Sequence, residues 1–261
     1  MSELRITTVQ SNLEWINPES NRQAFAERLK PLAGTTDLIL LPEMFSTGFY
    51  MDPANLAEPF PGPTSLWMAE QASICQAVIA GSFIVEERGS YFNRLVWMQP
   101  NGKSLHYDKH HLFGFGGEAA HFTAGAERLI VRIGEWRICP LICYDLRFPV
   151  WSRNIVPYYD VLIYLANWPS PRRTAWTKLL QARAIENQSY VVGVNRIGTD
   201  GNNLDYLGDS SVIDFQGDSL FTAPEGVESI HTTVLSQEAV RTYRSRFPFL
   251  ESADSFEVLR D

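Results

Sequence analysis

Four polar side chains stand at the points where short apolar runs stop. Glu43 follows Leu38-Ile39-Leu40-Leu41-Pro42, and Lys109 follows Leu105-His106-Tyr107-Asp108. Cys143 follows Ile138-Cys139-Pro140-Leu141-Ile142, and Asn167 follows Ile163-Tyr164-Leu165-Ala166. A thiol is a strong nucleophile, a carboxylate can carry its proton, and an ammonium can hold an oxyanion. A carboxylate, an ammonium, a thiol and an amide converging at these run ends make a plausible site. Each residue also has a plainer reading. A buried free cysteine is commonly a small hydrophobe, a Pro-Glu after a strand suits a helix cap, and a lone lysine is usually a solvated charge.

Cys143 stands above that baseline because of the residues next to it. Tyr144-Asp145-Leu146-Arg147-Phe148-Pro149 is polar and turn-forming. A strand-to-helix elbow there exposes the sulfur and aims helix N–H groups at it. Those groups and a nearby cation favour thiolate. Cys139 lies inside the apolar run and Cys75 beside Ile74, so both read as structural.

The elements that must position these residues alternate in type. Strands are expected at Leu4–Gln10, 37–41, Val78–Val85, Val161–Ala166 and Tyr190–Asn195, and helices after Asn17-Pro18, at Ser65–Gln76 and at Trp176–Gln188. Pro100-Asn101-Gly102, Gly134-Glu135 and Gln216-Gly217-Asp218 mark hairpins. Such alternation predicts an α/β fold with mixed sheets. In open α/β sheets, ligands bind outside the carboxyl ends of strands, which is where the four polar residues fall. The stretch Gly198–Gly208 reads as a surface loop, and Arg241–Phe249 as a segment packed on the body or on a second subunit.

The chain has 261 residues, 45% hydrophobic and 20% charged, as in an ordinary globular protein. Its formal net charge of -8 disfavours nucleic acid as a partner. Three cysteines, an odd number, read as free thiols in a reducing compartment. Met1–Gln10 lacks a basic segment followed by an apolar one, and no run approaches the roughly 20 apolar residues of a membrane span. The expected location is cytoplasmic, away from membranes.

Three motifs in order carry a resemblance. Leu41-Pro42-Glu43, Tyr107-Asp108-Lys109-His110-His111-Leu112-Phe113 and Cys143-Tyr144-Asp145-Leu146-Arg147-Phe148-Pro149 are similar to those of the nitrilase superfamily, the carbon–nitrogen hydrolases. The resemblance runs from the first strand to the hairpin after residue 210. It implies a four-layer α-β-β-α sandwich of the nitrilase type, a single domain over residues 1–261, and a homodimer. Carried over residue by residue, Glu43 looks like the general base, Lys109 the oxyanion lysine, Cys143 the nucleophile and Glu118 a second glutamate. The backbone N–H of Tyr144 would join Lys109 at the oxyanion.

Within the family the motifs Cys143–Arg153 and Ala166-Asn167-Trp168-Pro169 are most similar to the omega-amidase branch. That branch cleaves the terminal amide of small 2-oxo dicarboxylic acid monoamides such as 2-oxoglutaramate or 2-oxosuccinamate. The substrate carboxylate then needs a local cation, and Arg172 or Arg173 suits bidentate contact. Phe45, Tyr50 and Trp168 are candidate pocket walls. Other nitrilase-type reactions on a small amide, nitrile or carbamoyl compound use the same triad, and a binding protein on the same fold is a further alternative. A Cys-His hydrolase based on His110, His111 or His121 is a rival. So is a metal site of Cys139, Cys143 and a histidine, but the spacing does not suit it. No cofactor and no metal are expected.

Overall fold

The computed structural model describes residues 2–258, so Met1 and residues 259–261, at the two ends of the expected domain, lie outside the described residues. The chain opens with β1 (Glu3–Gln10), α1 (Pro18–Leu29), β2 (Leu38–Leu40), α2 (Pro63–Cys75), β3 (Val78–Glu87), β4 (Ser90–Met98) and β5 (Ser104–Asp108). A short α3 (Glu118–His121) leads to β6 (Val131–Ile133), β7 (Trp136–Ile142), α4 (Pro149–Ser152), β8 (Val161–Ala166), α5 (Arg173–Asn187) and β9 (Tyr190–Asn195). It ends with β10 (Ile197–Thr199), β11 (Asp205–Leu207), β12 (Ser211–Ile213), β13 (Ser219–Thr222), β14 (Ser229–Ser236) and α6 (Gln237–Arg246).

Two mixed sheets result, in the orders β14-β1-β2-β3-β4-β5 and β13-β12-β9-β8-β7-β6. In each, three central strands run parallel, β1-β2-β3 and β7-β8-β9, with antiparallel strands outside them. Successive side chains of a strand point to opposite faces. Leu38 and Leu40 therefore enter the core between the sheets, where Ile138, Ile163 and Val192 face them. Ile39 turns the other way, onto Phe25 and Leu29 of α1 and Met68 and Ala72 of α2. On the far side α5 lies close against β9. A Cβ at Gly193 would sit 2.6 Å from Leu180 and 2.8 Å from Trp176, so only glycine permits that approach. The layers are thus α-β-β-α, as the resemblance implies.

One local expectation needs revision, and two further segments go beyond what the sequence alone decided. Gly198–Gly208 is not an open loop but contains the β10–β11 hairpin. Asp200 closes its turn by accepting from the backbone N–H groups of Asn202 and Leu204 and from the Tyr206 hydroxyl. Strand β14 pairs antiparallel with β1, although Ser-Ile-His-Thr-Thr-Val-Leu-Ser presents no apolar run. The segment Arg241–Phe249 packs on its own body, with Arg244 bonded to Gln188 O, Tyr159 O and Asp160. Among the described residues no helix is long and apolar enough to cross a membrane.

Candidate active site

The carboxyl ends of β2, β5, β7 and β8 meet, and the side chains that follow them form one cluster. Glu43, Lys109 and Glu118 are each 0% exposed. Lys109 Nζ donates to Glu43 Oε1 at 2.9 Å and to Glu118 Oε1 and Oε2 at 3.1 and 2.8 Å. Glu43 Oε2 accepts the backbone N–H of Asn167 at 2.8 Å. The Cys143 thiol donates to Asn167 O at 3.8 Å and lies near enough to Glu43 to feel its charge. All three motif residues and Glu118 therefore come together. Asn167 holds the backbone of Glu43 as well, through Nδ2.

The elbow after β7 is present, as a 3-10 turn over Cys143–Arg147. Cys143 itself has φ of 42°, a left-handed conformation uncommon outside glycine, which turns the sulfur out of the strand direction. Asp145 fixes this elbow to the lysine loop. Its buried carboxylate accepts from Ile142 N at 3.0 Å, Tyr107 Oη at 2.8 Å and His111 N at 3.0 Å, with His111 Nδ1 at 2.8 Å. His110 stacks on Trp151 and His111 on Phe148, while His121 is exposed. His110 and His111 shape the loop that carries Lys109, and the charged groups that act most on Cys143 are Glu43, Lys109 and Glu118.

The sulfur is not a ready thiolate. Burial pushes the Cys143 thiol well above its usual range, the Glu43 charge adds to this, and Lys109 opposes it. The favour toward thiolate expected from an elbow is thus outweighed by desolvation, and the proton must be removed during attack. Burial likewise raises Glu118, against the pull of Lys109. For Lys109 burial disfavours charge, but Glu118, Glu43 and Cys143 together outweigh it and the ammonium is held. Cys139 is fully buried, its thiol pushed up to about 12, and Cys75 is raised by burial too, so both are structural in environment.

A pocket opens above the cluster, lined by Lys109, Cys143, Tyr144, Asn167, Trp168 and the tip of the β10–β11 hairpin, among others. Trp168 and Arg172 are wall residues, as the sequence suggests. Phe45 is not. It is buried between Phe25, Trp67 and Phe83 in the core beneath α1 and α2, because the left-handed backbone at Met44 turns the chain away from the pocket. Tyr50 packs its ring on Trp15. Arg173 points elsewhere too, held by Asp209 at 2.7 Å and Glu225 at 2.7 Å. The second pocket cation is instead Arg147, lying 4.8 Å over the Trp168 ring, while Arg172 lies 5.0 Å over Phe113. No carboxylate among the described residues pairs with either.

Sequence reasoning also missed Asn93, Asp145 and the hairpin residues Asp200, Leu204 and Tyr206. Arg147 and Asp145 stand inside the cysteine motif, and that position was their one signal. Among the described residues no group of three or more His, Cys, Asp or Glu side chains is placed to hold a metal ion.

Comparison with known proteins agrees with this fold. The family model for carbon-nitrogen hydrolases matches residues 5–245. The chain is 45% identical to omega-amidase YafV of Escherichia coli K12, over 99% of this chain and 100% of that protein. It is 31% identical to 2-oxoglutaramate amidase of Bacillus subtilis, over 80% of this chain and 82% of the relative. Among solved structures, a CN-hydrolase superfamily protein of Xanthomonas campestris, with an arsenic adduct in its active site, superposes with a TM-score of 0.97 at 45% identity. That match covers 99% of this chain and 100% of the other.

Proposed function

The chain belongs to the carbon–nitrogen hydrolase family, and from that premise we propose that it hydrolyses the terminal amide of a small 2-oxo dicarboxylic acid monoamide, 2-oxoglutaramate or 2-oxosuccinamate, to the acid and ammonia. The observation that carries the reading is the Cys143 thiol under the influence of the Glu43 carboxylate, with Lys109 clamped between Glu43 and Glu118, at the floor of a pocket whose mouth carries Arg147 and Arg172.

As the sulfur attacks the carbonyl carbon, Glu43 takes the thiol proton. Negative charge moves to the carbonyl oxygen, where Lys109 Nζ and the Tyr144 N–H receive it. An N–H in the first turn of a helix has no acceptor within that helix, which leaves Tyr144 free to donate. One such donor is worth about 3 kcal/mol of barrier. Glu43 then gives the proton to the nitrogen, the C–N bond breaks and ammonia leaves. A water attacks the thioester, Glu43 takes its proton and returns it to the sulfur as the C–S bond breaks. At the mouth the guanidinium groups of Arg147 and Arg172, already oriented by aromatic faces, take the substrate carboxylate.

A substrate panel with ammonia detection tests this. Ammonia is expected from the two 2-oxo monoamides, with an acyl mass on the Cys143 peptide in trapped reactions and none in Cys143→Ala. Absence of ammonia from every small amide, or an acyl mass on Cys75 or Cys139, overturns it.

A further inference from the structure

Between the two carboxylates of the cluster lies a side chain without charge. Asn93 stands in the middle of β4, is 0% exposed, and turns its amide toward the site. Its Nδ2 meets Glu43 Oε1 at 2.8 Å and Glu118 Oε1 at 3.1 Å. Carboxylate oxygens without protons only accept, which assigns the nitrogen, with its two hydrogens, to that end. Lys109 Nζ reaches the same two oxygens. The backbone carbonyl of Asn93 also accepts the N–H of Lys109 at 3.0 Å, so residue 93 holds the lysine's main chain and the acceptors of its ammonium.

Two carboxylates this close, shut away from water, favour sharing one proton, because burial and the Glu43 charge both raise the affinity of Glu118 for it. A proton so shared occupies the oxygens that have to receive the Cys143 proton. We propose that Asn93 is a positioning residue that holds Glu43 and Glu118 as two separate, proton-free acceptors, and so keeps Glu43 open to the thiol proton at neutral pH. The inference deepens the amidase reading and rests on it. An amide is suited to the task because it does not titrate and its two hydrogens serve one carboxylate each. A proton placed between the carboxylates has to displace one of those bonds. The arrangement has a cost: Asn93 Oδ1 is buried with no hydrogen-bond partner among the described residues. A side chain present for packing alone would be better apolar. The other groups facing the pair are Lys109 and the Cys143 thiol, with Arg147, Arg172, Asp200 and Tyr206 farther out along the pocket.

The test compares pH profiles of kcat/KM for the protein, Asn93→Leu, and Asn93→Leu with Glu118→Gln. Removing the donor is expected to move the acidic limb of the profile upward by about one pH unit, a roughly tenfold loss on that limb. Adding Glu118→Gln removes the second carboxylate and should return the limb toward its original position. A structural role changes the height of the profile but not the limb. An unmoved limb in Asn93→Leu, or one that stays displaced in the double variant, overturns the inference. Should Asn93→Leu fail to fold, Asn93→Ser carries the same comparison. The pH dependence of Cys143 alkylation by iodoacetamide gives a readout without substrate. If no amide is cleaved the amidase reading fails, while the alkylation limb still decides the role of Asn93.

Discussion

At the floor of the pocket, three charged side chains are closed off from water and saturate one another: Lys109 between Glu43 and Glu118. At its mouth, Arg147 and Arg172 rest on the rings of Trp168 and Phe113 and meet no carboxylate among the described residues. The contrast separates two uses of charge. Desolvated ions repay their burial only when every partner is in place, so the floor has one geometry and little tolerance. A guanidinium on an aromatic face stays charged and oriented while its hydrogens remain free for an arriving anion. The floor is built for bond making and the mouth for recognition.

Breaking the floor should give the largest effect. Lys109→Met removes the proposed oxyanion donor and leaves two buried carboxylates facing each other. Activity should fall by a factor on the order of 10³, and unfolding free energy by about 3–5 kcal/mol, read from ammonia release and denaturant titration. The stability deficit has a sign with pH. Burial raises Glu118 in the folded protein, so its contribution favours folding below the unfolded carboxylate range and is lost as pH rises through the folded value. Without Lys109 that loss grows, so the deficit should be widest near neutral pH and narrow toward acid. A variant with activity within tenfold of the original would dissolve the distinction between floor and mouth.

The floor was also the part most legible in the sequence. Glu43 and Cys143 each follow a strand covered on both faces, which advertises its own end, whereas Lys109 follows the half-exposed edge strand β5 and was carried by its motif. Asn93 had no such signal. It lies inside Tyr91-Phe92-Asn93-Arg94-Leu95, where a polar residue looks like the outer position of an alternating strand. Glu118 was recognisable by family pattern, but its loop gave no physical reason to aim it at Lys109. At the mouth, neighbouring arginines are equivalent by spacing. What separates Arg172 from Arg173 is the position of Asp209 and Glu225, a tertiary fact. Phe45 follows Glu43 by two residues, and the left-handed turn at Met44 directs it into the core. Strand β14 escaped because it is an edge strand, half-exposed along most of its length, with His231, Thr232 and Thr233 at its centre.

The mouth can be tested without touching the floor. Arg147→Ala should raise KM for a carboxylate-bearing amide by about ten- to a hundredfold, as expected for losing charged hydrogen bonds. For an uncharged amide of similar length, kcat/KM should stay unchanged. Equal losses on both substrates would mean that Arg147 serves the elbow and not the carboxylate.

The smallest effect should come one residue beyond the other mouth cation. Arg173 donates to Asp209 Oδ1 at 2.8 Å and lies within 2.7 Å of Asp209 Oδ2 and of Glu225, with over a third of its side chain in solvent. Its charge is already matched, so nothing remains to attract a substrate, and water screens what the pairs contribute. Arg173→Ala should leave KM for both kinds of amide within about twofold and cost no more than about 1 kcal/mol of stability. Arg172→Ala, measured beside it, should weaken only the carboxylate-bearing substrate. If Arg173→Ala instead shows that selective weakening, the ion pairs open when substrate arrives, and the boundary between recognition and scaffold lies one residue farther along the chain than the ion pairs place it.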